Sequence, residues 1–273
     1  VLFQTLQESA YATLTNAQRA QVAKACLMGG ADRTAAWSNN APQSGASRGV
    51  ATKPLDALRG SGELNVNRAH LMLTGDRVNG VTAAVDAVAV PAAGWGTAAL
   101  AAGGKAHWRF RLYRVLPQLD FTVVWPRSVA TGMASYTLAN MNLRIQRSLM
   151  GGSQMIPLEG SAGEATFAAG NVSSNSTVDN VETLHLVDLQ PGEYTVQLSR
   201  ADAASGSVNA YAGWIADASG FGREGDVDAS GVVDFGDVAL ALLSFGTDDP
   251  GADMDVSGVV DFGDVALVLI NFG

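Results

Sequence analysis

A block of residues near the C-terminus occurs twice, and it restricts the possible fold more than any other feature of the sequence. Residues 226–246 align with residues 253–273 at an offset of 27 (253 minus 226). The copies differ only at Val227/Met254, Ala229/Val256, Ala241/Val268, Leu243/Ile270 and Ser244/Asn271. This identity indicates an internal duplication, so the two copies are expected to fold alike and to pack against each other.

Each copy places its aspartates at the spacing of a calcium-binding loop. Calcium is a hard cation that binds about six to eight oxygens, and a twelve-residue loop can turn alternate groups toward one point. Gly231 and Gly258 stand at position 6, where such a loop needs a positive φ. The pattern therefore predicts two Ca²⁺ ions. The predicted ligands at positions 1, 3, 5, 7, 9 and 12 are Asp226, Asp228, Ser230, the Val232 carbonyl, Asp234 and Asp237 in the first copy, and Asp253, Asp255, Ser257, the Val259 carbonyl, Asp261 and Asp264 in the second.

A short apolar helix is predicted after each loop, over VALALLSFG and VALVLINFG. No helix is expected before either loop, because GREG and TDDPG precede them. Helices this short are marginal alone, so they are expected to pair, and calcium is expected to supply part of the folding free energy.

This arrangement of loop and single helix, duplicated and with Asp at position 12, resembles the type I dockerin family over residues 226–273. The resemblance implies calcium-dependent binding to a cohesin domain, which attaches secreted bacterial enzymes to a scaffoldin or a cell surface. It also implies that loop positions 10 and 11 contact the partner, and these are Phe235, Gly236, Phe262 and Gly263. The alternative is that both phenylalanines pack against the neighbouring helix.

Short runs with alternating apolar residues dominate the chain from about residue 105. They include Trp108, Phe110 and Leu112 in one run and Tyr194, Val196 and Leu198 in another. Gly, Ser, Asn and Pro separate the runs, which indicates an antiparallel β-sandwich. The segments FTVVWPR, DNVETLHLVDLQPGEYTVQLSR and AYAGWIAD resemble the jelly-roll domains that follow secreted peptidase domains.

The N-terminal part is predicted to be helical and irregular. Apolar residues at helical spacing predict a helix over residues 4–31, with a cap at Thr15 or Asn16 and a stop at Gly29-Gly30. Residues 32–62 are expected to form a loop, and residues 81–104 a loop with short strands. QVAKACLMGGADRTAAWSNN and KPLDALRGSGELNVNRAHLML resemble the C-terminal end of a subtilisin-like serine peptidase domain over about residues 5–75, with Gly60, Gly62, Asn65 and Ala69 at the matching positions.

The predicted fold class is thus mixed and mainly β. We expect a remnant of a subtilisin-like domain (1–104), a jelly-roll β-sandwich (105–216), a linker (217–225) and a small all-α, dockerin-like module (226–273). Because the chain begins at Val1 without an initiator Met or a leader, it is expected to be part of a longer precursor.

Several functions are disfavoured by composition. A net charge of −9 opposes binding to nucleic acid or an anionic membrane, and no segment suits a membrane span.

The single cysteine, Cys26, is expected to be a buried small side chain. Ser47 in GASRG lacks the flanking strand and helix of a nucleophile elbow, and His70, His107 and His185 show no metal spacing. The chain itself is therefore predicted to be non-catalytic, while the resemblance to a subtilisin-like domain implies that its parent is a serine endopeptidase.

The main hypothesis is a secreted, monomeric, calcium-binding part of a modular hydrolase that docks onto a cohesin-bearing partner. One alternative is that the sandwich binds carbohydrate and the parent degrades polysaccharide. Another alternative is a structural surface-layer or adhesive protein. The aromatic residues available for a sugar platform are Trp95, Trp108, Trp125, Trp214, Tyr113 and Tyr136.

Overall fold

Two β-sheets packed face to face form the centre of the protein in the computed structural model, which describes residues 2–8, 11–228 and 230–273. The helices are α1 Leu2–Thr5, α2 Asn16–Gly29, α3 Val66–Thr74, α4 Phe235–Leu243 and α5 Phe262–Ile270. The strands are β1 Val50–Ala51, β2 Asp76–Arg77, β3 Ala93–Leu100, β4 Lys105–Leu112, β5 Leu116–Val124, β6 Ser128–Val129, β7 Tyr136–Thr137, β8 Met141–Leu149, β9 Gln154–Pro157, β10 Ala169–Asn171, β11 Ser173–Ser174, β12 Val181–Leu189, β13 Gly192–Arg200 and β14 Val208–Ala216.

The sandwich is mainly antiparallel, which confirms the predicted fold class. One sheet has the order β1-β11-β8-β13-β4, with β9 also paired to β8. The other has the order β10-β12-β5-β14-β3-β2. Only the short edge pairs β1–β11 and β2–β3 are parallel among the pairings of these described strands. Non-sequential neighbours such as β5 and β14 show that the sheets are built by long-range crossovers.

Large aromatic residues fill the space between the sheets. The alternation predicted for β4 holds, since Trp108 and Phe110 are buried and contact Phe121 of the opposite sheet. Phe121 in turn stacks on Trp214, with ring centroids 5.7 Å apart. The indole N–H groups of Trp108 and Trp214 donate to the carbonyls of Val78 and Pro91, so neither is left unpaired.

The aromatic side chains available for a sugar platform are therefore mostly in the interior. Trp95, Trp108, Trp125 and Trp214 are each no more than 2% exposed. Of the six candidates only Tyr136 is largely exposed, at 59%. Of the six, Tyr136 and the half-buried Tyr113 are therefore the ones whose rings have surface for stacking on a sugar.

Helices α2 and α3 cover the outer face of the second sheet, where they pack with residues of β3, β5 and β14. Cys26 lies in this layer, fully buried as predicted, and burial raises the pKa of its thiol to about 12. The helix expected over residues 4–31 is shorter, because Thr15 forms a capping box with Gln18 and starts α2 there. Ala10, expected on that helix, lies outside the described residues.

The sandwich also uses strands that precede residue 105. Ala93–Leu100, within a segment expected to be a loop with short strands, is an eight-residue strand paired along its length with β14. The division of the chain into domains stays a prediction, but the sheets draw on residues from both sides of the expected boundary.

Candidate metal centre

Three carboxylates meet inside the first loop. Asp226, Asp228 and Asp237 each offer one oxygen, and these oxygens lie within 4.8 Å of one another. Asp237 accepts hydrogen bonds from the backbone N–H groups of Asp228 (2.9 Å) and Asp234 (2.8 Å). Gly231 has a φ of 91°, which turns the chain back after position 5. Position 12 therefore closes the loop on its own backbone while it brings a third carboxylate to the cluster.

The second loop repeats this arrangement. Asp253, Asp255 and Asp264 bring oxygens within 4.8 Å of one another. Asp264 accepts from the N–H groups of Asp255 (3.0 Å) and Asp261 (2.7 Å). Gly258 has a φ of 96°. The two copies of the sequence therefore form loops with the same arrangement of carboxylates and hydrogen bonds.

The aspartates at position 9 lie at the starts of the two helices. Asp234 is the N-cap of α4 and accepts from the N–H of Gly236, while Asp261 does the same for α5 through Gly263. Both belong to capping boxes, which satisfy N–H groups that the first helical turn would leave free. The three-carboxylate clusters do not include them.

Positions 5 and 7 lie next to each other on the exposed side of each loop. The Ser230 hydroxyl donates to the Val232 carbonyl at 3.0 Å, and Ser257 donates to Val259 at 2.9 Å. Their role as ligands, like that of position 9, stays a prediction.

Burial makes these carboxylates good candidates for a cation. Asp226, Asp237, Asp253 and Asp264 are each no more than 2% exposed. One oxygen of Asp226, Oδ1, is buried and has no hydrogen-bond partner among the described residues. Burial, together with the nearby charge of Asp264, raises the pKa of Asp253. The clusters could hold a metal, and an all-oxygen donor set fits a hard cation such as calcium.

An exposed apolar surface lies beside the loops. We define the apolar face as Phe235, Leu242 and Leu243 of α4 with Phe262, Leu269 and Ile270 of α5. All six are at least half exposed, and Phe235 and Phe262 are 77% and 75% exposed. Each phenylalanine touches one from the other repeat, Phe272 and Phe245 respectively, with ring centroids 5.0 and 4.8 Å apart. These contacts leave most of both rings open to solvent.

The end of β4 and the turn that follows it contact both loops, which the sequence did not predict. Arg114 forms an ion pair with Asp226 through Nη2 and Oδ2. Arg111 donates to the backbone carbonyls of Asp253 (2.7 Å) and Met254 (3.3 Å). These contacts join parts of the chain more than a hundred residues apart, so no local pattern could have indicated them.

A polar cleft of about 500 Å³ lies elsewhere, between residues 33–43 and strands β5, β10 and β12. Its lining includes Asn39, Gln43, Gln118 and His185. Beneath it Asp120 is fully buried. Burial by itself would raise the pKa of Asp120, but the charges and hydrogen bonds of Arg33, His185 and Arg68 hold it below its ordinary value.

The remaining side chains singled out in the sequence do not meet. Ser47 lies in an exposed turn. His107 is hydrogen-bonded to Val81 and Gln197, and His185 to Asp120. No helix within the described residues is long and apolar enough to cross a membrane.

No family model and no curated protein matches this chain. Among solved structures, similarity was found to a mitogen from Yersinia pseudotuberculosis (10% identity, 47% of this chain and 88% of the other, TM-score 0.28). A β-1,3-glucan-binding family 6 carbohydrate-binding module from Bacillus halodurans is also similar (11%, 52% and 98%, TM-score 0.23). A third is a family 36 carbohydrate-binding module in complex with calcium and xylotriose (14%, 42% and 75%, TM-score 0.21).

Proposed function

We propose that this chain is the calcium-binding, non-catalytic part of a secreted modular hydrolase, and that its duplicated loops dock it onto a partner. The observation that carries the proposal is the pair of matching carboxylate clusters, each partly buried and each closed by the aspartate at position 12. Two such sites in a fixed relation are difficult to explain as solvated acidic turns, because burying like charges together without a cation costs free energy.

The chain's own residues suit calcium in three ways. Asp226, Asp228 and Asp237 would bind one ion, and Asp253, Asp255 and Asp264 the other. The unpartnered Asp226 Oδ1 is a buried oxygen for which a cation would be the missing partner. Bound calcium would supply positive charge to both clusters, of which the first is otherwise paired with Arg114 alone among the described residues.

Calcium would also stabilise the fold of residues 226–273. Among the described residues there, the buried apolar cluster consists of five side chains: Val233, Ala241, Met254, Val265 and Val268. So small a core contributes little, and α4 and α5 are too short to be stable alone. A cation that binds only the folded loops therefore adds its binding free energy to folding.

The apolar face supports docking as the role of this module. Exposed phenylalanines related by the internal repeat offer a partner large, rigid apolar contacts. Together with the dockerin-like sequence, this makes a cohesin domain the proposed partner. Under the same proposal the parent is a subtilisin-like peptidase, and α2 and α3, packed on the sandwich, are the end of its catalytic domain.

Replacing both Phe235 and Phe262 by alanine is expected to weaken binding to a matching cohesin at least about 100-fold, or at least about 2 to 3 kcal/mol, since buried aromatic contacts dominate such interfaces. Each single substitution is expected to cost at least about tenfold. Binding would be measured by calorimetry against a panel of bacterial cohesins, with and without chelator.

Leu58→Ala is the matched control, because Leu58 is 89% exposed and lies outside the module. Cohesin binding that survives both chelation and the double substitution would contradict the docking role.

The polar cleft supports a second candidate, carbohydrate binding. The amide N–H groups of Gln43 and Gln118 already donate within the protein, but their amide oxygens can accept from sugar hydroxyls, and a cleft of about 500 Å³ has the size of a small-ligand site. Thr34 is exposed and lines the same cleft, so a larger side chain there would obstruct it.

If the cleft binds sugar, the chain is expected to sediment with an insoluble polysaccharide, and Thr34→Trp is expected to reduce the bound fraction at least about fivefold by filling the cleft. Leu58→Trp, which adds an indole at an exposed position outside the cleft, is the control. Equal sedimentation of the two variants, or none by the unsubstituted chain, would rule out this candidate.

A further inference from the structure

We propose that Arg114 sets the calcium affinity of the first loop by acting as a competing cation, so that the second loop fills first. The inference rests on the proposed binding of calcium by both loops. It concerns a residue of the sandwich that no loop pattern includes.

Arg114 lies at the carboxylate that begins the first loop. Its Nη2 pairs with Asp226 Oδ2, and the Asp226 side chain is completely buried. The same Oδ2 also accepts the N–H of Gly231 at 3.0 Å. Only Oδ1 of this carboxylate remains without a partner among the described residues. Asp226 can therefore offer a metal one free oxygen, while the other is held by a positive charge.

The corresponding carboxylate of the second loop, Asp253, forms no ion pair among the described residues. Both oxygens of Asp253 accept backbone N–H groups of its own loop, from Ser257 (3.0 Å) and Gly258 (2.9 Å). The charge of Arg111 acts on Asp253 from a distance, but its guanidinium donates to the main-chain carbonyls of Asp253 and Met254 and lies over the ring of Tyr113 at 4.9 Å. The two loops are alike in sequence, but only one has a guanidinium on its first carboxylate.

The ion pair between Arg114 and Asp226 lowers the calcium affinity of the first loop. A fixed positive charge in contact with a ligand repels a divalent ion in the same site, and the repulsion is only partly screened because the carboxylate is buried. Either Arg114 moves away when calcium binds, with loss of the ion pair, or calcium shares Asp226 with it. Both routes lower the affinity of the first loop relative to the second.

The contact also links calcium to the position of the module. Arg114 belongs to the turn between β4 and β5, so its ion pair holds the first loop against the sandwich. Filling the first loop weakens that pair. The ion bound last is thus the one that weakens this contact, while the bonds of Arg111 to the Asp253 and Met254 carbonyls and of the Met150 N–H to the Val256 carbonyl still hold the second loop to the sandwich.

The test is a calorimetric calcium titration of the full chain after chelator treatment. For the unsubstituted chain we expect two association constants for calcium at least about tenfold apart. Arg114→Gln is expected to raise the smaller association constant about tenfold and to leave the larger one within about twofold of its original value. Arg114→Lys, which keeps the charge but not the planar fork, is expected to have a smaller effect. The increase in calcium affinity caused by Arg114→Gln is expected to be smaller at high salt, because salt screens the charge of Arg114.

Arg127→Gln controls for net charge, because Arg127 follows the opposite end of β5. Asp264→Ala removes the closing ligand of the second loop and leaves the first loop as the main calcium site. If adding Arg114→Gln to this variant raises the remaining association constant, the weaker constant belongs to the first loop. An unchanged or lowered weaker constant in Arg114→Gln would overturn the inference, since Arg114 would then have no effect or would preorganise Asp226 for calcium. An unsubstituted chain that binds no calcium would instead overturn the proposed function.

Discussion

Asp237→Ala is expected to lower the calcium affinity of the first loop at least about 100-fold, and Asp264→Ala to do the same for the second. Each substitution removes a carboxylate from a cluster of three and frees two backbone N–H groups that the carboxylate had bound. Loss of the closing ligand and loss of the loop's internal hydrogen bonds both destabilise the loop conformation that binds calcium. The double variant is expected to bind no calcium and to lose the helices α4 and α5.

Calorimetry would measure the affinities and far-UV circular dichroism the helix content. Asp248→Ala is the matched control, because it removes an exposed aspartate between the two loops and changes the net charge by the same amount. If the double variant keeps two calcium sites of unchanged affinity, the ions are bound elsewhere and the loop assignment is wrong.

Glu182→Gln is expected to stabilise the sandwich at pH 8 to 9 and to have little effect at pH 4 to 5. Burial raises the pKa of Glu182 to about 8, even though the Ser174 hydroxyl and the Ser176 N–H donate to its carboxylate. The folded protein therefore holds this proton more tightly than the unfolded chain. Stability is fully present below the unfolded pKa and falls as pH rises toward the folded pKa.

The loss between about pH 4.5 and pH 8 amounts to about 3 to 5 kcal/mol from this one group. Glutamine resembles the protonated acid, because its amide can donate to Ser174 and accept from Ser176. The free energy of unfolding would be measured with denaturant at fixed calcium by tryptophan fluorescence, since all five tryptophans lie within residues 37–214. An equal pH dependence in both proteins would contradict a protonated Glu182.

The sequence predicted those elements in which a residue type recurs at a regular spacing. The alternation of Trp108, Phe110 and Leu112 predicted β4 because one face of that strand packs on the core. The duplicated aspartates predicted the loops because each predicted ligand is fixed by its position relative to the next, and those at positions 1, 3 and 12 lie together in both loops. Both patterns are local, and both are present in the structure.

Other features depended on contacts across the chain. Ala93–Leu100 contains small residues without clear alternation, and it becomes a strand because β14 pairs along its whole length. The helix of residues 4–31 was predicted too long because the apolar spacing continues past the capping box at Thr15. The contact of Arg114 with Asp226 required the tertiary fold.

The central claim is that residues 226–273 form a module folded around two calcium ions. A calcium titration of chelator-treated protein, followed by calorimetry and far-UV circular dichroism, tests it most directly. We expect two bound ions, a gain of helix as they bind, and little change in tryptophan fluorescence, because this module contains no tryptophan. No binding, or binding without a gain of helix, would contradict it.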